Sequence, residues 1–204
     1  MRRLLTLSDI LERLCALAAR LGAWTLVPLI LVIVWDVGTR KFPGVQLWMR
    51  EAGLYGWISS TRLQELEWHL HAVVFLLAFG VTYLRNGHVR VDMWREGRSA
   101  RTRAWVELSG LMVLALPYCA VMLWFGWDFV RRSYLQGEGS PAMTGLPNRW
   151  IIKSFVLIGM ALLGAALMAT VLRLVVFLFG RGEVARAAEA RLGMLGTAEP
   201  AGAR

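Results

Sequence analysis

Four long apolar stretches alternate with polar segments along the chain. They cover about residues 21–37, 63–84, 104–130 and 150–179, and loops carrying Gly, Pro or several Arg residues separate them. A bilayer core roughly 30 Å thick is crossed by about 20 helical residues, a length that each stretch approaches or exceeds. The pattern predicts an all-α integral membrane protein whose membrane domain, residues 21–180, has four transmembrane helices.

The first 20 residues follow a different pattern, in which apolar positions recur every three or four residues. Charged side chains take the other faces, as in an amphipathic helix. The pattern predicts an N-terminal arm, residues 1–20, that lies at the membrane surface, and the alternative is a soluble helical extension of the first span. Asp9, Glu12 and Arg13 interrupt the apolar region that a cleavable signal would need, so we expect the arm to remain in the mature protein.

Three further features refine this picture of four spans. Pro28 lacks an amide hydrogen and is expected to kink the first span. Residues 44–62 carry Trp48 and Trp57, side chains suited to headgroup level, which indicates a possible second interfacial helix between spans one and two. Residues 181–204 have too few large apolar side chains to form a core and are predicted to be a flexible cytoplasmic tail.

The charge distribution sets the expected orientation in the membrane. The chain has 23 Lys and Arg residues and a net charge of +9, but the basic residues lie between the spans rather than along one face, which favours membrane topology over nucleic-acid binding. Fourteen of them fall in the arm, the loop at 85–103 and the tail, against seven in the other two loops. The bias predicts a multi-pass protein of the bacterial inner membrane, with both termini in the cytoplasm and residues near 50 and 138 in the periplasm.

Candidate chemistry is sparse, because charged residues avoid the centres of the spans. Those inside the spans lie within about two turns of an end, where long side chains such as Arg173 can reach the headgroups. His69 and His71 point roughly 200° apart on a helix and cannot ligate one metal, and His88 lies beyond the end of that span. We therefore expect no catalytic residue, no metal, no cofactor and no enzyme activity.

Three stretches carry distinctive motifs at the ends of the spans. The first, VWDVGTRKF, puts Asp36 and Arg40 at the exit of span one. The second, LQELEWHLHAVVFLLAFGVTYLRNGHVRVDMW, starts with the acidic residues Glu65 and Glu67. Its exit reads Gly-His-x-Arg-x-Asp, made by Gly87, His88, Arg90 and Asp92. The third, SPAMTGLPNRWIIKSFVLIGMALL, is a loop that runs into a span beginning at Trp150.

These motifs resemble the small membrane subunit, of the four-span Q type, of tripartite ATP-independent periplasmic (TRAP) transporters. The exit motif of the second stretch is the most specific of the three. In the third stretch, many members of that family carry a proline where this chain has Val156 and Leu157. The likeness covers about residues 21–180, and the arm and the tail carry little of it.

The resemblance implies a heteromeric transporter. In this family a soluble periplasmic binding protein captures an organic anion, often a carboxylate, and a large membrane subunit moves it with a sodium gradient. The small subunit would be a non-catalytic, static scaffold that contacts the large subunit and membrane lipids, with no nucleic-acid partner. The candidates for the partner interface are the charged and His residues at the span ends: Asp36, Arg40, Glu65, Glu67, His88, Arg90 and Asp92.

Other functions remain open at this point. A membrane-anchor or haem-type redox subunit of a respiratory complex is the main alternative, although haem needs axial histidines on facing helices. A stand-alone transporter would need inverted repeats, and the two halves of the chain show no self-similarity. Within the HVRVD segment, Arg90 and Asp92 could also pair locally in a cytoplasmic loop instead of docking a partner.

Overall fold

The computed structural model describes residues 1–87 and 97–193, and within these ranges all regular structure is helical. Four of its helical stretches are long and apolar enough to cross a membrane, namely Arg2–Lys41, Tyr55–Leu84, Ala100–Leu135 and Trp150–Phe179. The predicted all-α fold with four transmembrane helices is confirmed. The elements in chain order are α1 (Arg2–Trp24), α2 (Leu26–Lys41), α3 (Pro43–Glu51), α4 (Tyr55–Ile58), α5 (Ser60–Leu84), α6 (Ala100–Gly110), a π-helical turn (Leu111–Ala115), α7 (Leu116–Leu135), α8 (Trp150–Phe179) and α9 (Glu183–Arg191).

The helix of the predicted N-terminal arm runs on into the first span, and the helix is interrupted only briefly between them. Helix α1 ends at Trp24 and α2 begins at Leu26, while Thr25 keeps a helical conformation (φ −70°, ψ −12°) and its hydroxyl donates to the Gly22 carbonyl at 2.6 Å. Pro28 has no amide hydrogen to donate to the carbonyl of Trp24, so one helical bond is missing at this point. The interruption therefore lies where the sequence removes a donor, and a surface location for the arm stays a prediction.

Two short helices, α3 and α4, occupy the segment between spans one and two where a second interfacial helix is predicted. Pro43 stands in the first turn of α3, a position that needs no amide hydrogen. Gly53 has a φ of +71° and turns the chain between the two helices. The Arg50 guanidinium lies 4.6 Å from the centre of the Tyr55 ring, so a cation–π contact links α3 to α4.

The third span consists of α6, the π-helical turn and α7. The Ser99 side chain caps α6 by accepting from the Thr102 amide at 3.2 Å. Further along, the Leu116 amide donates to the Leu111 carbonyl, the five-residue spacing of a π-helix. The following residue, Pro117, cannot donate to the Val113 carbonyl, so the wider turn comes directly before a position where the ordinary helical bond is lost.

The chain divides into two compact units. The first unit consists of Met1–Leu17, Phe79–Met122 and the chain from Ala161 onward, and the second unit consists of Ala18–Ala78 and Leu123–Met160. In the first unit, a Cβ at Gly80 of α5 would lie 2.7 Å from Cys15 Sγ of α1 and 2.8 Å from the Leu162 carbonyl of α8. Only glycine allows this approach, which is typical of helix packing in membranes.

Glycines have the same role in the second unit. A Cβ at Gly159 of α8 would lie 2.9 Å from the Leu76 carbonyl of α5, and one at Gly22 of α1 would lie 3.0 Å from Leu77 Cβ. Close backbone contact increases the dispersion attraction between helices. This attraction matters in a membrane because lipid tails are as apolar as the helices, so the hydrophobic effect does not drive helices together.

Helix α8 supplies much of the buried apolar surface. Its buried apolar side chains run from Met160 to Leu178. Val176 packs with Leu5 of α1 and Ala188 of α9 in one hydrophobic cluster of the first unit. The first part of the predicted tail is therefore helix α9 in contact with α1 and α8, whereas residues 194–204 lie outside the described range.

Candidate functional site

A buried carboxylate joins the end of α2 to the start of α5. Asp36 is fully buried, and its Oδ1 accepts a hydrogen bond from Ser60 Oγ at 2.7 Å. Its Oδ2 pairs with the guanidinium of Arg40, one helical turn further along α2. Asp36 and Arg40 are two of the residues predicted for a partner interface, and in the structure they contact each other. Both oxygens of a costly buried charge are thereby satisfied within the chain.

A second carboxylate, Glu65, fastens the loop between α7 and α8 to α5. Its Oε2 accepts from the Leu146 amide at 2.6 Å, and its Oε1 accepts from the Ser140 hydroxyl. Arg149 lies 3.8 Å from Oε1 and completes the set of partners. A Cβ at Gly145 would overlap the Ser140 side chain and lie 2.8 Å from Glu65 Oε2, so glycine is needed where the loop passes over the carboxylate.

Glu67 does not join this cluster, although it is only two residues from Glu65. Residues two apart on a helix face different directions. Glu67 Oε1 is buried and lacks a hydrogen-bond partner among the residues that the structure describes. The other proposed interface residues, His88, Arg90 and Asp92, lie outside the described residues.

The same loop carries an ion pair that the pattern of charges in the sequence does not indicate. Lys153, in the first turn of α8, pairs with Glu138, and its ammonium group also lies 4.0 Å from the centre of the Phe129 ring. The hydrogen bond from Lys153 holds the pKa of the Glu138 carboxyl below its ordinary value. The signal in the sequence was a lone lysine, three residues after the Trp that begins an apolar run.

The largest departure from expectation is Arg173, which was expected to reach the headgroups from near the end of α8. Instead it is 4 % exposed. Its Nε donates to Ser8 Oγ of α1 at 3.2 Å, and its terminal nitrogens reach Glu12 and the Arg191 carbonyl. A lone arginine within the run LLGAALMATVLRLVVFLF was the available signal, because such a residue needs a partner when it is buried.

A second arginine extends this cluster to helix α9. Arg191 donates two hydrogen bonds to the carboxylate of Asp9, at 3.0 and 3.1 Å. Asp9 also lies 3.5 Å from Arg173. The cluster of Asp9, Glu12, Arg173 and Arg191 therefore ties α1, α8 and α9 together in the first unit. A paired, two-point contact of this kind fixes orientation as well as distance.

The histidines of α5 do not form a metal site. The His69 ring stacks on Trp68 with ring centres 4.0 Å apart, and the His71 ring lies 3.1 Å from the Glu67 carbonyl oxygen. Among residues 1–87 and 97–193, no group of three or more His, Cys, Asp or Glu residues could hold a metal ion. The polar clusters around Asp36, Glu65 and Arg173 hold helices and loops together through hydrogen bonds to charged groups.

The sequence matches the model of one family of membrane proteins. The model of the family described as "Tripartite ATP-independent periplasmic transporters, DctQ component" matches residues 29–177. The chain belongs to the DctQ family. The resemblance to the small TRAP subunit is confirmed. No curated protein and no solved structure matches the chain.

The DctQ match includes most of the polar contacts described above. It contains Asp36, Glu65, Lys153 and Arg173, so those residues belong to the part of the chain shared with the family. The residues that Arg173 contacts on α1 precede the matched range, which begins at residue 29. As a DctQ component, the chain is a membrane subunit of a TRAP transporter, which is built from several parts.

Proposed function

We propose that this chain is the non-catalytic small permease subunit of a TRAP transporter and acts as a static scaffold for a large, sodium-driven membrane subunit. The transporter would import an organic anion, most simply a carboxylate, delivered by a periplasmic binding protein. The observation that carries the proposal is the DctQ match over residues 29–177, which includes nearly all of the membrane domain.

The contacts within the chain support a scaffold rather than a moving part. Glycines at 22, 80 and 159 bring helix backbones together so closely that a Cβ would collide with a neighbour. Protein interiors packed in this way resist continuous deformation. A subunit built like this can present a rigid surface to a partner that changes conformation.

The use of charge supports the same function. Asp36, Glu65 and Arg173 each make two or more polar contacts within the chain. Side chains engaged in this way hold the fold and are not free to bind and release a transported ion. We therefore assign ion and solute translocation to the large subunit.

We further propose an inner-membrane location with both chain termini in the cytoplasm. The support is the distribution of Lys and Arg, fourteen on one side and seven on the other. In this orientation the loop held by Glu65 faces the periplasm, where a binding protein delivers its solute.

Reconstitution into liposomes tests the proposal. Vesicles would contain the large subunit with or without this chain, with the binding protein added outside together with labelled mono- and dicarboxylates. We expect uptake only when all three proteins and an inward sodium gradient are present, and collapse of that gradient with a sodium ionophore is the control. Uptake by this chain alone, or equal uptake without it, would contradict the proposed function.

A further inference from the structure

One face of α5 is exposed along the second span, and it carries polar side chains. The exposed residues of α5 are Thr61, Gln64, Trp68, His71 and Phe75. Their spacing of three and four residues places them on one side of the helix. We call this surface the α5 face. Thr61, Gln64 and His71 give this face a hydroxyl, an amide and an imidazole, which is unusual for a surface that lies within a membrane span.

His71 lies further into the span on this face than the charged residues at the start of α5. Glu65, which binds the loop between α7 and α8, marks the polar end of α5. His71 follows six residues later, about 9 Å further along the helix axis at the usual rise per residue. Lysine and arginine reach headgroups from such depths through long side chains, but an imidazole is much shorter. Facing lipid tails, the Nε2 atom of the ring would lack a hydrogen-bond partner at a cost in free energy.

The contact inside α5 defines which hydrogen-bonding group His71 presents. Its Nδ1 lies 3.1 Å from the Glu67 carbonyl oxygen, and a carbonyl can only accept. Nδ1 therefore carries the proton, and in the neutral ring Nε2 is left as an acceptor. A partner suited to this site must supply a donor within the membrane. Lipid tails have no such group.

The outward faces of two other spans differ from the α5 face. On α2, every exposed residue from Leu26 to Val37 is apolar. On α8 the exposed residues are also apolar: Ile151, Ile158, Ala161, Met168 and Phe179. Such faces suit lipid tails. The α5 face is distinguished from them by Gln64 and His71, since interhelical polar contacts give specificity that apolar surfaces lack.

We propose that the α5 face docks a transmembrane helix of the large TRAP membrane subunit, and that His71 Nε2 accepts a hydrogen bond from a hydroxyl or amide on that helix. This inference rests on the proposed function, because the large subunit is its partner. The exposed aromatic rings of Trp68 and Phe75, 45 % and 65 % exposed, flank His71 and supply apolar contact area around the polar group.

Photo-crosslinking in the assembled transporter tests the position of the interface. A benzophenone amino acid would replace Trp68 or Phe75, which flank His71 without removing it. Matched outward positions at Val34 of α2 and Ile158 of α8 serve as controls. We expect adducts with the large subunit from positions 68 and 75 and far fewer from the controls. Adducts from the controls alone, in a complex that copurifies intact, would overturn this inference and leave the proposed function standing. If the wild-type chain does not retain the large subunit, both are overturned.

Two substitutions test the hydrogen bond itself. His71→Gln keeps a side-chain acceptor near the position of Nε2, whereas His71→Leu removes it. We expect the leucine variant to bind the large subunit in nanodiscs about threefold more weakly, the size typical of one interhelical hydrogen bond in a membrane, and the glutamine variant to bind like wild type. Unchanged unfolding of the isolated variants would show that the loss concerns the partner. Equal binding of the leucine variant and wild type would overturn the proposed bond.

Discussion

Arg173 of α8 donates a hydrogen bond to Glu12 of α1, 161 residues away in the chain, although Arg173 is only 4 % exposed. Glu12 itself is half exposed, with a side-chain exposure of 49 %. Arg173 is thus the buried partner of the pair, and Glu12 is the partner that is partly exposed. Loss of the Glu12 carboxylate would therefore leave a buried positive charge with less compensation.

We predict that Glu12→Gln destabilises the isolated subunit because it leaves the buried Arg173 with less compensating charge. The expected loss is about 1–2 kcal/mol, below the 3–5 kcal/mol of a fully buried pair, since Glu12 is half exposed and Asp9 remains nearby. Chemical unfolding in detergent would measure it. Arg13→Gln, at the exposed neighbouring position, is the matched control and should unfold like wild type. Equal stabilities of the two variants would contradict the proposed importance of the contact.

Removal of the Ser60 hydroxyl should weaken the link between α2 and α5. Ser60→Ala deprives the buried Asp36 Oδ1 of its donor, so we expect a loss of about 1–3 kcal/mol in the free energy of unfolding. Thr61→Ala removes a hydroxyl from the next, exposed residue and should leave stability within about 0.5 kcal/mol of wild type. Urea titration of both variants gives the comparison. A larger loss of stability in Thr61→Ala than in Ser60→Ala would contradict the importance of the hydrogen bond between Ser60 and Asp36.

Glu65→Gln should release the loop between α7 and α8 from α5. The charged acceptor for the Leu146 amide and the Ser140 hydroxyl becomes a neutral and weaker one. We expect faster hydrogen exchange of the amides in residues 140–149, measured by mass spectrometry. Glu67→Gln is the control, because Glu67 Oε1 has no hydrogen-bond partner among the described residues. Unchanged exchange in the Glu65 variant would show that the loop is held by other contacts.

The Glu138–Lys153 pair predicts a pH dependence. The pKa of Glu138 is lowered in the folded protein, so the pair stabilises the fold fully above the unfolded-state pKa of about 4.3. The contribution is lost as the pH falls through the lowered pKa of the folded state. We therefore expect wild type to melt above Glu138→Gln at pH 7, with the difference shrinking as the pH falls below about 4. A difference in Tm that grew on acidification would have the opposite sign.

Reporter fusions test the orientation derived from the Lys and Arg count. Fusions near residues 1, 95 and 204 should report a cytoplasmic location, and fusions near 50 and 138 a periplasmic one. Alkaline phosphatase, active only in the periplasm, would be paired at each position with a fluorescent protein that requires the cytoplasm. Phosphatase activity from a fusion near residue 95 would reverse the predicted orientation.

Part of the candidate site could be predicted from the sequence. The charges at Asp36, Arg40 and Glu65 stood out because they lie at the ends of apolar spans, where a charge needs a partner or a headgroup. Their actual partners could not be predicted. Ser60, Ser140 and the Leu146 amide are ordinary groups in sequence, and only the packing of the helices and the loop brings them within hydrogen-bond distance of a carboxylate.

The four spans and the all-α class were determined by the sequence alone, because the length and hydropathy needed to cross a bilayer are local properties of each segment. The choice of packed faces was decided only by the tertiary structure. On α1, the large apolar residues Leu7 and Leu14 are exposed, while Ser8 and Cys15 are buried against other helices. In a membrane both lipid and protein are apolar surroundings, so hydropathy cannot distinguish the outward face from the packed one. Close packing of small residues makes that distinction, and it exists only once the neighbouring helices are in place.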